Sequence, residues 1–325
     1  MQGITIKAVG GPDVLEWAAL DDPVPGPKDV IVRLQAAGLN YIDTYHRSGL
    51  YPMPIPFTPG MEGAGTVVSV GAQCRRFKPG DRVAWSAVPG SYAELVRVAE
   101  DSAVPVPDSV ELDVAAAVLL QGMTAHYLVT DTFSLGAGHR CLIHAGAGGT
   151  GLLLIQMAKH LGAEVFTTVG SPEKVDLVRR AGADHVILYR DEDFATAIER
   201  IAGPKAIDVV YDGVGKTVFD RSLDVLRLRG MMVTFGNASG PADPVSPLRL
   251  MQCGSVFLTR PNLMHYISTR AEFERRAANI FSWIADGWFK VQVGERLALE
   301  RAADAHRLLE SRRTTGKVLL IPSAA

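Results

Sequence analysis

Cysteine is scarce in this sequence. The 325 residues include three cysteines, Cys74, Cys141 and Cys253, which lie far apart. An odd number of widely spaced cysteines excludes a disulfide framework and a zinc knuckle built from cysteine pairs. Because such usage is typical of a reducing compartment, we expect a cytoplasmic protein.

The sequence also lacks an excess of either charge. Lys and Arg number 33 against 35 for Asp and Glu, and the formal net charge is −2. The basic residues are scattered, so the sequence offers no electrostatic footprint for nucleic acid or for an anionic membrane surface. No apolar run approaches the roughly 18 to 20 residues of a membrane span, and Met1–Gly11 lacks the basic head and apolar core of a signal peptide.

What is present is globular composition, with 47% hydrophobic residues, in a chain long enough for two domains. In its first third, short β-branched runs are punctuated by glycine and proline. These runs predict strands at residues 4–8, 30–36, 65–70, 82–85 and 92–98. We therefore expect a β-rich first domain over residues 1–123.

From about Leu112 the apolar residues recur at helical spacing, and strands then alternate with helices. This alternation predicts a parallel α/β sheet in a second domain, residues 124–265. We expect the last part of the chain, residues 266–325, to return to the first domain. The predicted strands of the sheet are 140–145, 164–169, 185–189, 206–211, 231–236 and 255–259, and the predicted tail elements are helices 271–286 and 301–311 and strand 317–321.

A glycine-rich sequence, Gly146–Gly151, lies between the first predicted strand of the second domain and an apolar helix. Its G-x-G-x-x-G pattern permits a tight turn and lets the backbone approach a pyrophosphate at the helix N-terminus. In this context the pattern predicts a dinucleotide site, and a glycine-rich turn without a ligand is the less favoured alternative.

The end of the next strand indicates which dinucleotide binds. A site for NAD usually has Asp or Glu there, to bond the ribose 2′-hydroxyl, but this sequence continues Val169-Gly170-Ser171-Pro172. Lys174 can reach back as a cation for a 2′-phosphate, and Tyr189 and Arg190 can flank it. We therefore expect NADPH. The alternative is that Lys174 and Arg190 are ordinary solvated charges.

The first domain lacks the residues of a catalytic zinc site, which is commonly held by Cys and His. Asn40 and Met61 stand in the segments Gly38–Tyr41 and Gly60–Gly63, and none of the eight histidines forms a cluster with ligand spacing. We therefore expect no metal.

Several unusual strings together resemble a known family over nearly the whole chain: the zinc-independent quinone oxidoreductases, which resemble zeta-crystallin, of the medium-chain dehydrogenase/reductase superfamily. The strings occur in the family's order. They are GGPDVL at 10–15, NYIDTY at 40–45, RSGLYP at 47–52, GDRV at 80–83, the glycine loop, YDGVG at 211–215, FGNASG at 235–240 and TRP at 259–261.

The resemblance implies a GroES-like catalytic domain, a Rossmann domain with a doubly wound parallel sheet, and a cleft between them. It also implies a homodimer joined through the edge of the Rossmann sheet. Asn40 then occupies the position of a cysteine ligand in zinc-dependent relatives, and Met61 that of a histidine ligand.

The resemblance also implies roles for individual residues. Gly148, Gly149 and Thr150 would bind the pyrophosphate, and Gly170, Lys174 and Tyr189 the 2′-phosphate and its ribose. Close bacterial relatives often carry Lys at the position of Gln121, so the resemblance implies that this chain lacks a cation near the cofactor at that position. The residues implied around the nicotinamide are Asn40, Thr124, Gly213, Phe235, Gly236, Asn237, Ala238, Phe257, Leu258 and Thr259, with Arg312 from the returning tail.

Without a metal, the chemistry expected is hydride transfer that needs mainly positioning, from NADPH to a small quinone. Hydride delivery leaves a negative oxygen that a hydrogen-bond donor can stabilise and protonate. Tyr51 and Tyr45 are the candidate donors, and the Asn40 amide could hold the carbonyl. A packed loop aromatic is the equal alternative for Tyr51.

Two other functions remain open. A reductase of enoyl thioesters or other α,β-unsaturated carbonyls would use the same cofactor and a tyrosine donor, although no basic cluster for a carrier's phosphates is evident. A non-catalytic NADPH-binding protein, crystallin-like or RNA-binding, is an alternative of another class. Its only basic pairs are Arg75-Arg76, Arg179-Arg180, Arg275-Arg276 and Arg312-Arg313, which we interpret mostly as solvated.

Overall fold

The computed structural model describes residues 1–323. Two compact units are present, one formed by Met1–Met123 with the chain from Ile267 onward, the other by Thr124–Tyr266. In chain order the strands are β1 Gln2–Thr5, β2 Glu16–Ala19, β3 Asp29–Leu39, β4 Glu62–Val70, β5 Arg82–Ser86, β6 Leu95–Ala99, β7 Ala103–Pro105, β8 Arg140–Ile143, β9 Glu164–Val169, β10 His185–Leu188, β11 Ile207–Asp212, β12 Leu226–Thr234, β13 Phe257–Thr259, β14 Val293–Ala298 and β15 Lys317–Ile321. The α-helices are α1 Tyr41–Ser48, α2 Leu112–Tyr127, α3 Gly149–His160, α4 Val175–Ala181, α5 Phe194–Ala202, α6 Phe219–Val225, α7 Pro247–Gln252, α8 Leu263–Tyr266, α9 Arg270–Ala285 and α10 Ala302–Glu310.

The first unit is built around β3, its longest strand. The sheet order is β14-β15-β3-β4-β5-β7, and β6 also pairs with β3. Val30, Val32 and Leu34 alternate along β3 and pack with Trp85 in the core of this unit. The C-terminal strand β15 pairs antiparallel with β3, so the tail completes this sheet. The predicted GroES-like β-rich fold is confirmed.

The second unit has a six-stranded sheet in the order β10-β9-β8-β11-β12-β13, with every pair of neighbours parallel. Helices connect the strands, as parallel crossovers require. Leu142, Phe166, Val210 and Met232 are fully or almost fully buried in the core between sheet and helices. Because β8 and β11 are neighbours, the strand order reverses between them, and ligands of such sheets bind at that reversal. The predicted Rossmann sheet is confirmed.

One helix corrects the expectation that no apolar run approaches the length of a membrane span. The helical segment Leu112–Thr132, which continues α2 into a π-helical turn, has 21 residues and is apolar enough to cross a membrane by length and composition. Of its most apolar 18-residue window, 72% is buried. Such burial is typical of a core helix, because the apolar side chains already contact protein.

The segment after β9 begins with a 3₁₀ turn, Pro172–Lys174, in which Pro172 occupies the first position. A serine before a helical proline commonly caps the helix, but the Ser171 hydroxyl makes no capping hydrogen bond to the backbone. Instead, the Ser171 side chain is hydrogen-bonded to the Glu173 carboxylate. Helix α4 then ends at Gly182, which has a φ of 112° in the left-handed region that favours glycine.

Candidate functional site

The glycine loop joins β8 to α3, where the backbone must pass close to neighbouring atoms. A Cβ at Gly146 would lie 2.0 Å from Thr167 Oγ1, and one at Gly151 would lie 2.5 Å from the Ala145 carbonyl oxygen. Neither separation is sterically possible, so both positions require glycine. The resulting turn brings the N-terminus of α3 to the carboxyl end of the sheet.

The three predicted pyrophosphate residues form the start of this helix. Gly148 is the N-cap residue, and Gly149 and Thr150 are the first two residues of the 12-residue helix. The first N–H groups of a helix have no partner within it and carry the positive end of its dipole. This arrangement fits the pyrophosphate of a dinucleotide.

The predicted 2′-phosphate residues come together after β9 and β10. A Cβ at Gly170 would lie 2.8 Å from Tyr189 Oη, so the phenol packs directly against the glycine. Lys174 is partly buried, and burial together with the positive charge of Arg190 lowers its pKa. The two positive charges repel each other, and a bound phosphate dianion would relieve that repulsion. The residues present therefore fit NADPH.

Two loops lie at the carboxyl ends of β11 and β12, and both carry predicted nicotinamide residues. Phe235 packs on Gly213, where a Cβ would lie 3.2 Å from the ring, and a Cβ at Gly236 would lie 2.3 Å from the Gly213 carbonyl oxygen. The Ala238 N–H donates to that same carbonyl, at 3.2 Å. Asn237 lies between them, so the structure brings these five predicted residues together.

The other predicted nicotinamide residues of this unit are more dispersed along the chain. Phe257, Leu258 and Thr259 form the short edge strand β13, and the Phe257 side chain is 57% exposed. Thr124 is the first residue of the second unit and lies within α2. Their roles stay predictions.

In the first unit a buried group of side chains surrounds Asn40, and we call it the polar cluster: Asn40, Glu62, Gln121 and Lys317. Asn40 Nδ2 donates to the Gly38 carbonyl at 3.1 Å and to Glu62 Oε2 at 2.9 Å. Asn40 Oδ1 accepts from Gln121 Nε2 at 3.0 Å and from Lys317 Nζ at 2.8 Å. The amide thus makes four hydrogen bonds, which is its full capacity.

This geometry bears on the role in holding a substrate carbonyl that the sequence suggested for Asn40, and that role and the one beside the nicotinamide stay predictions. Its orientation is fixed, because exchanging the amide oxygen and nitrogen would turn an N–H toward the Lys317 ammonium. Since both amide hydrogens are engaged, holding a substrate carbonyl would first break one of these bonds. The structure instead places Asn40 as a buried link between Glu62 and Lys317.

The polar cluster also shows whether the residues around Asn40 and Met61 could bind a zinc ion. Lys317 Nζ lies 2.5 Å from Glu62 Oε2, and both side chains are buried, at 1% and 0% exposure. An ammonium group therefore already neutralises the carboxylate beside Asn40 and Met61, and neither an amide nor a thioether is a usual zinc ligand. The residues present do not fit a catalytic zinc.

A second buried chain of polar groups leads away from Asn40. The Asn40 N–H donates to Asp43 Oδ2 at 2.8 Å, which also accepts from the Tyr92 hydroxyl at 3.0 Å. His306 Nε2 lies 3.4 Å from that hydroxyl, and His306 Nδ1 lies 3.1 Å from Arg47. Because Arg can only donate, Nδ1 is the acceptor and Nε2 carries the proton. Burial raises the pKa of Asp43 to about 7 and lowers that of His306 to about 3.

The candidate proton donors of the first unit lie together at the end of α1. The rings of Tyr45 and Tyr51 meet edge to face with centroids 5.2 Å apart, and the Tyr51 N–H donates to the Tyr45 carbonyl at 3.1 Å. Tyr45 is 8% exposed, whereas Tyr51 is partly exposed. Arg312 lies after α10 with an exposed side chain and a φ of 59°. The roles predicted for all three stay predictions.

Sequence reasoning missed that several charged residues are buried, among them Asp43, Glu62, Asp212 and Lys317. Asp43 and Glu62 stand inside the quoted strings around Asn40 and Met61, so their neighbourhood was visible in the sequence. Lys317 follows 255 residues after Glu62, and no local pattern pairs them. Only the pairing of β15 with β3 brings that lysine to the cluster.

A GroES-like β-rich unit followed by a Rossmann unit with a dinucleotide glycine loop defines a medium-chain dehydrogenase/reductase. The alcohol dehydrogenase GroES-like domain family matches residues 26–108, and the zinc-binding dehydrogenase family matches residues 149–283. The quinone oxidoreductase of Pseudomonas aeruginosa is 46% identical over 321 residues, which cover 98% of this chain and 99% of that protein. The chain belongs to the quinone oxidoreductase family.

Two further relatives bear on function. The crystal structure of Escherichia coli quinone oxidoreductase complexed with NADPH has a TM-score of 0.97 and 41% identity, covering 99% of this chain and 100% of that one. A 2-haloacrylate reductase of a Burkholderia species is 39% identical over 327 residues, which cover 98% of each chain.

Proposed function

We propose that this protein is an NADPH-dependent quinone reductase that transfers hydride without a metal. The observation that carries the choice of cofactor is the pair of cations, Lys174 and Arg190, held beside Gly170 and Tyr189. The Escherichia coli relative, crystallised with NADPH, supports the same choice. The quinone substrate rests on the quinone oxidoreductases that match nearly the whole chain.

In this proposal the second unit is the cofactor domain. The N–H groups at the start of α3 bind the pyrophosphate, while Lys174 and Tyr189 bind the 2′-phosphate end. The loops after β11 and β12 receive the nicotinamide, which supplies the hydride when the cofactor is bound. Residues of this unit thus bind and orient, and the reaction gains mainly from positioning.

The first unit is the catalytic domain in this proposal. Reduction of a quinone carbonyl leaves charge on oxygen, and the Tyr51 hydroxyl, with Tyr45 behind it, is the donor that stabilises and protonates that oxygen. Asn40 does not bind the substrate here. It fixes the start of α1 through Asp43 and through the polar cluster.

A second candidate function has one specific observation in its favour. The 2-haloacrylate reductase matches 98% of this chain, and its name describes reduction of an α,β-unsaturated acid. Such a substrate also accepts hydride and then a proton, so the same residues would serve it.

The experiment that separates these functions is a substrate panel. We expect NADPH oxidation to be fastest with a small para-quinone and at least about tenfold slower, in kcat/KM, with 2-chloroacrylate or an enoyl thioester, because each extra mismatch of a substrate's polar groups costs about 1.4 kcal/mol or more. Faster turnover of 2-chloroacrylate would replace quinone as the substrate. Binding of NADPH without turnover of any of the three would leave a non-catalytic role, which an RNA-binding assay then tests.

We also propose a cytoplasmic homodimer. The three cysteines are all free thiols, which suits a reducing compartment. At the β13 edge of the Rossmann sheet, five apolar side chains of β12, α7 and β13 are each exposed, and we propose that they contribute to one surface, because exposed sheet edges pair readily. We call it the edge surface: Leu228, Leu248, Met251, Phe257 and Leu258.

A further inference from the structure

Asp212 is a fully buried carboxylate at the carboxyl end of β11, next to the reversal of strand order. Its Oδ1 accepts the Val214 N–H at 2.7 Å and the Gly215 N–H at 2.9 Å. The Asp212 Oδ1 atom therefore fixes the backbone of the turn 213–215 through two hydrogen bonds. The other oxygen, Oδ2, is also buried and has no hydrogen-bond partner among the described residues.

The turn 213–215 in turn holds the loop that follows β12. The Asp212 carbonyl accepts the Phe235 N–H at 2.8 Å and the Gly236 N–H at 3.3 Å. The Val214 carbonyl accepts the Ser239 N–H at 2.7 Å. These hydrogen bonds to the backbone of residues 212–215 thus fix the position of residues 235–239.

The fit between turn and loop leaves no space for adjustment. Gly215 has a φ of 87°, and a Cβ there would lie 2.4 Å from the Gly240 carbonyl oxygen. On the other side, a Cβ at Gly236 would lie 2.3 Å from the Gly213 carbonyl oxygen. A small movement of the turn must therefore move the loop with it.

The charge on Asp212 depends on its surroundings. Burial raises its pKa to about 6, and the hydrogen bonds from Gly215 and Val214 and the positive charge of Arg260 oppose that rise. On the adjacent strand β8, burial keeps His144 neutral by lowering its pKa to about 3. Lys216, in the next turn, lies 3.7 Å from Asp243. The carboxylate is thus ionised above about pH 6 and becomes protonated as the pH falls through that value.

We propose that Asp212 is a positioning residue for the cofactor: its ionised carboxylate holds turn 213–215 and loop 235–238 in the conformation that receives the nicotinamide ring, and its protonation loosens both. Hydrogen bonds to a charged acceptor are roughly twice as strong as those to a neutral one. A loosened loop must be ordered again on binding, which weakens affinity for the ring. This inference rests on the proposed use of NADPH.

The test compares two ligands that differ only in the nicotinamide. Tetrahydro-NADP is an acid-stable analogue of NADPH, and 2′-phospho-ADP-ribose lacks the ring. Both carry the 2′-phosphate, whose own titration near pH 6 therefore cancels in the ratio of their dissociation constants. The two constants are measured by calorimetry between about pH 5 and about pH 8, a range that spans the ionisation of Asp212.

The ratio of the dissociation constant of 2′-phospho-ADP-ribose to that of tetrahydro-NADP measures what the ring contributes to affinity. For the wild type we expect this ratio to fall on the order of fivefold as the pH drops through about 6. Asp212→Asn, a neutral isostere, should show the weaker value at every pH. Asp193→Asn is the matched control, because Asp193 also accepts a backbone N–H, from Thr196, yet its pKa is lowered to about 2. This control should follow the wild-type curve.

A pH dependence in Asp212→Asn equal to that of the wild type would overturn the inference. If that variant does not bind 2′-phospho-ADP-ribose, its fold has failed, and Arg260→Gln replaces it. Removing the Arg260 charge should move the midpoint to higher pH, and an unmoved midpoint also overturns the inference. Failure of the wild type to bind tetrahydro-NADP at any pH would instead refute the proposed function.

Discussion

At the scale of single residues, Lys317 and Glu62 form a buried ion pair within the polar cluster of the first unit. Its two charges are 2.5 Å apart, and Glu62 is further bonded by the Leu120 N–H at 2.6 Å and by Asn40 Nδ2. Burying two charges is costly, and the cost is offset only while both are present. Removing one partner leaves the other unpaired in the core.

We therefore predict strong coupling between these two residues. Lys317→Met and Glu62→Gln should each lower the free energy of unfolding by about 3 to 5 kcal/mol, whereas the double variant should lie within about 2 kcal/mol of the wild type. Urea unfolding at neutral pH measures all four proteins.

The control for this cycle is the exposed pair Lys7–Glu16, whose charges are 2.6 Å apart but whose side chains are 65% and 50% exposed. Lys7→Met and Glu16→Gln should couple by less than about 1 kcal/mol. Additive effects at Lys317 and Glu62 would contradict the account of the polar cluster.

The same residues show what sequence reasoning can reach at this scale. Asn40 and Met61 were recognisable because they replace ligands at fixed places in local strings. Lys317 was not, because its partner Glu62 precedes it by 255 residues and a lysine in a strand looks like any exposed charge. A buried charge is defined by what packs around it, and that information is not local.

At the scale of elements, most strands were predictable because their apolar runs have both the length and the boundaries of a strand. Glu164–Val169 and Lys317–Ile321 were predicted with the observed bounds. Strand β14, Val293–Ala298, was missed because its middle residues are exposed and charged, so it lacks a hydrophobic run. Strands β2 and β7 and helix α1 were also missed, since each is short and held mainly by tertiary contacts.

The edge surface yields a prediction at this scale. Leu248 and Met251 are 65% and 57% exposed on α7, beside the edge strand β13. If this surface joins two copies, Leu248→Glu with Met251→Glu should convert a dimer to a monomer in light scattering at micromolar concentration, because the interface would bury unpaired charges.

Val24→Glu is the control, because Val24 is 77% exposed but belongs to the other unit. We expect this variant to keep the wild-type mass. A wild-type monomer would refute the dimer itself, and a dimeric double variant would refute the edge surface as its interface.

At the scale of the whole molecule, the parallel α/β sheet was predictable because alternating βα units and a glycine loop between strand and helix are long, regular patterns. The strand runs of the first domain predicted a β-rich unit, and its GroES-like fold came from the resemblance to the quinone oxidoreductases. The order of the strands and the antiparallel return of β15 come only from the structure. The candidate cofactor residues came from strand ends and from the resemblance, and their roles stay predictions. The polar cluster and Asp212 were not predictable, since burial and distant pairing define them.

The central claim is that this molecule reduces quinones with NADPH and without a metal. The most direct test is the ratio of kcat/KM for NADPH to kcat/KM for NADH. We would measure kcat/KM for NADPH and for NADH with a saturating para-quinone and a metal chelator, in the wild type and in Lys174→Ala. We expect the wild type to prefer NADPH about a hundredfold in kcat/KM, with or without the chelator. In Lys174→Ala this preference should be smaller by a factor of about ten or more. Preference for NADH, or loss of turnover with the chelator, would contradict the central claim.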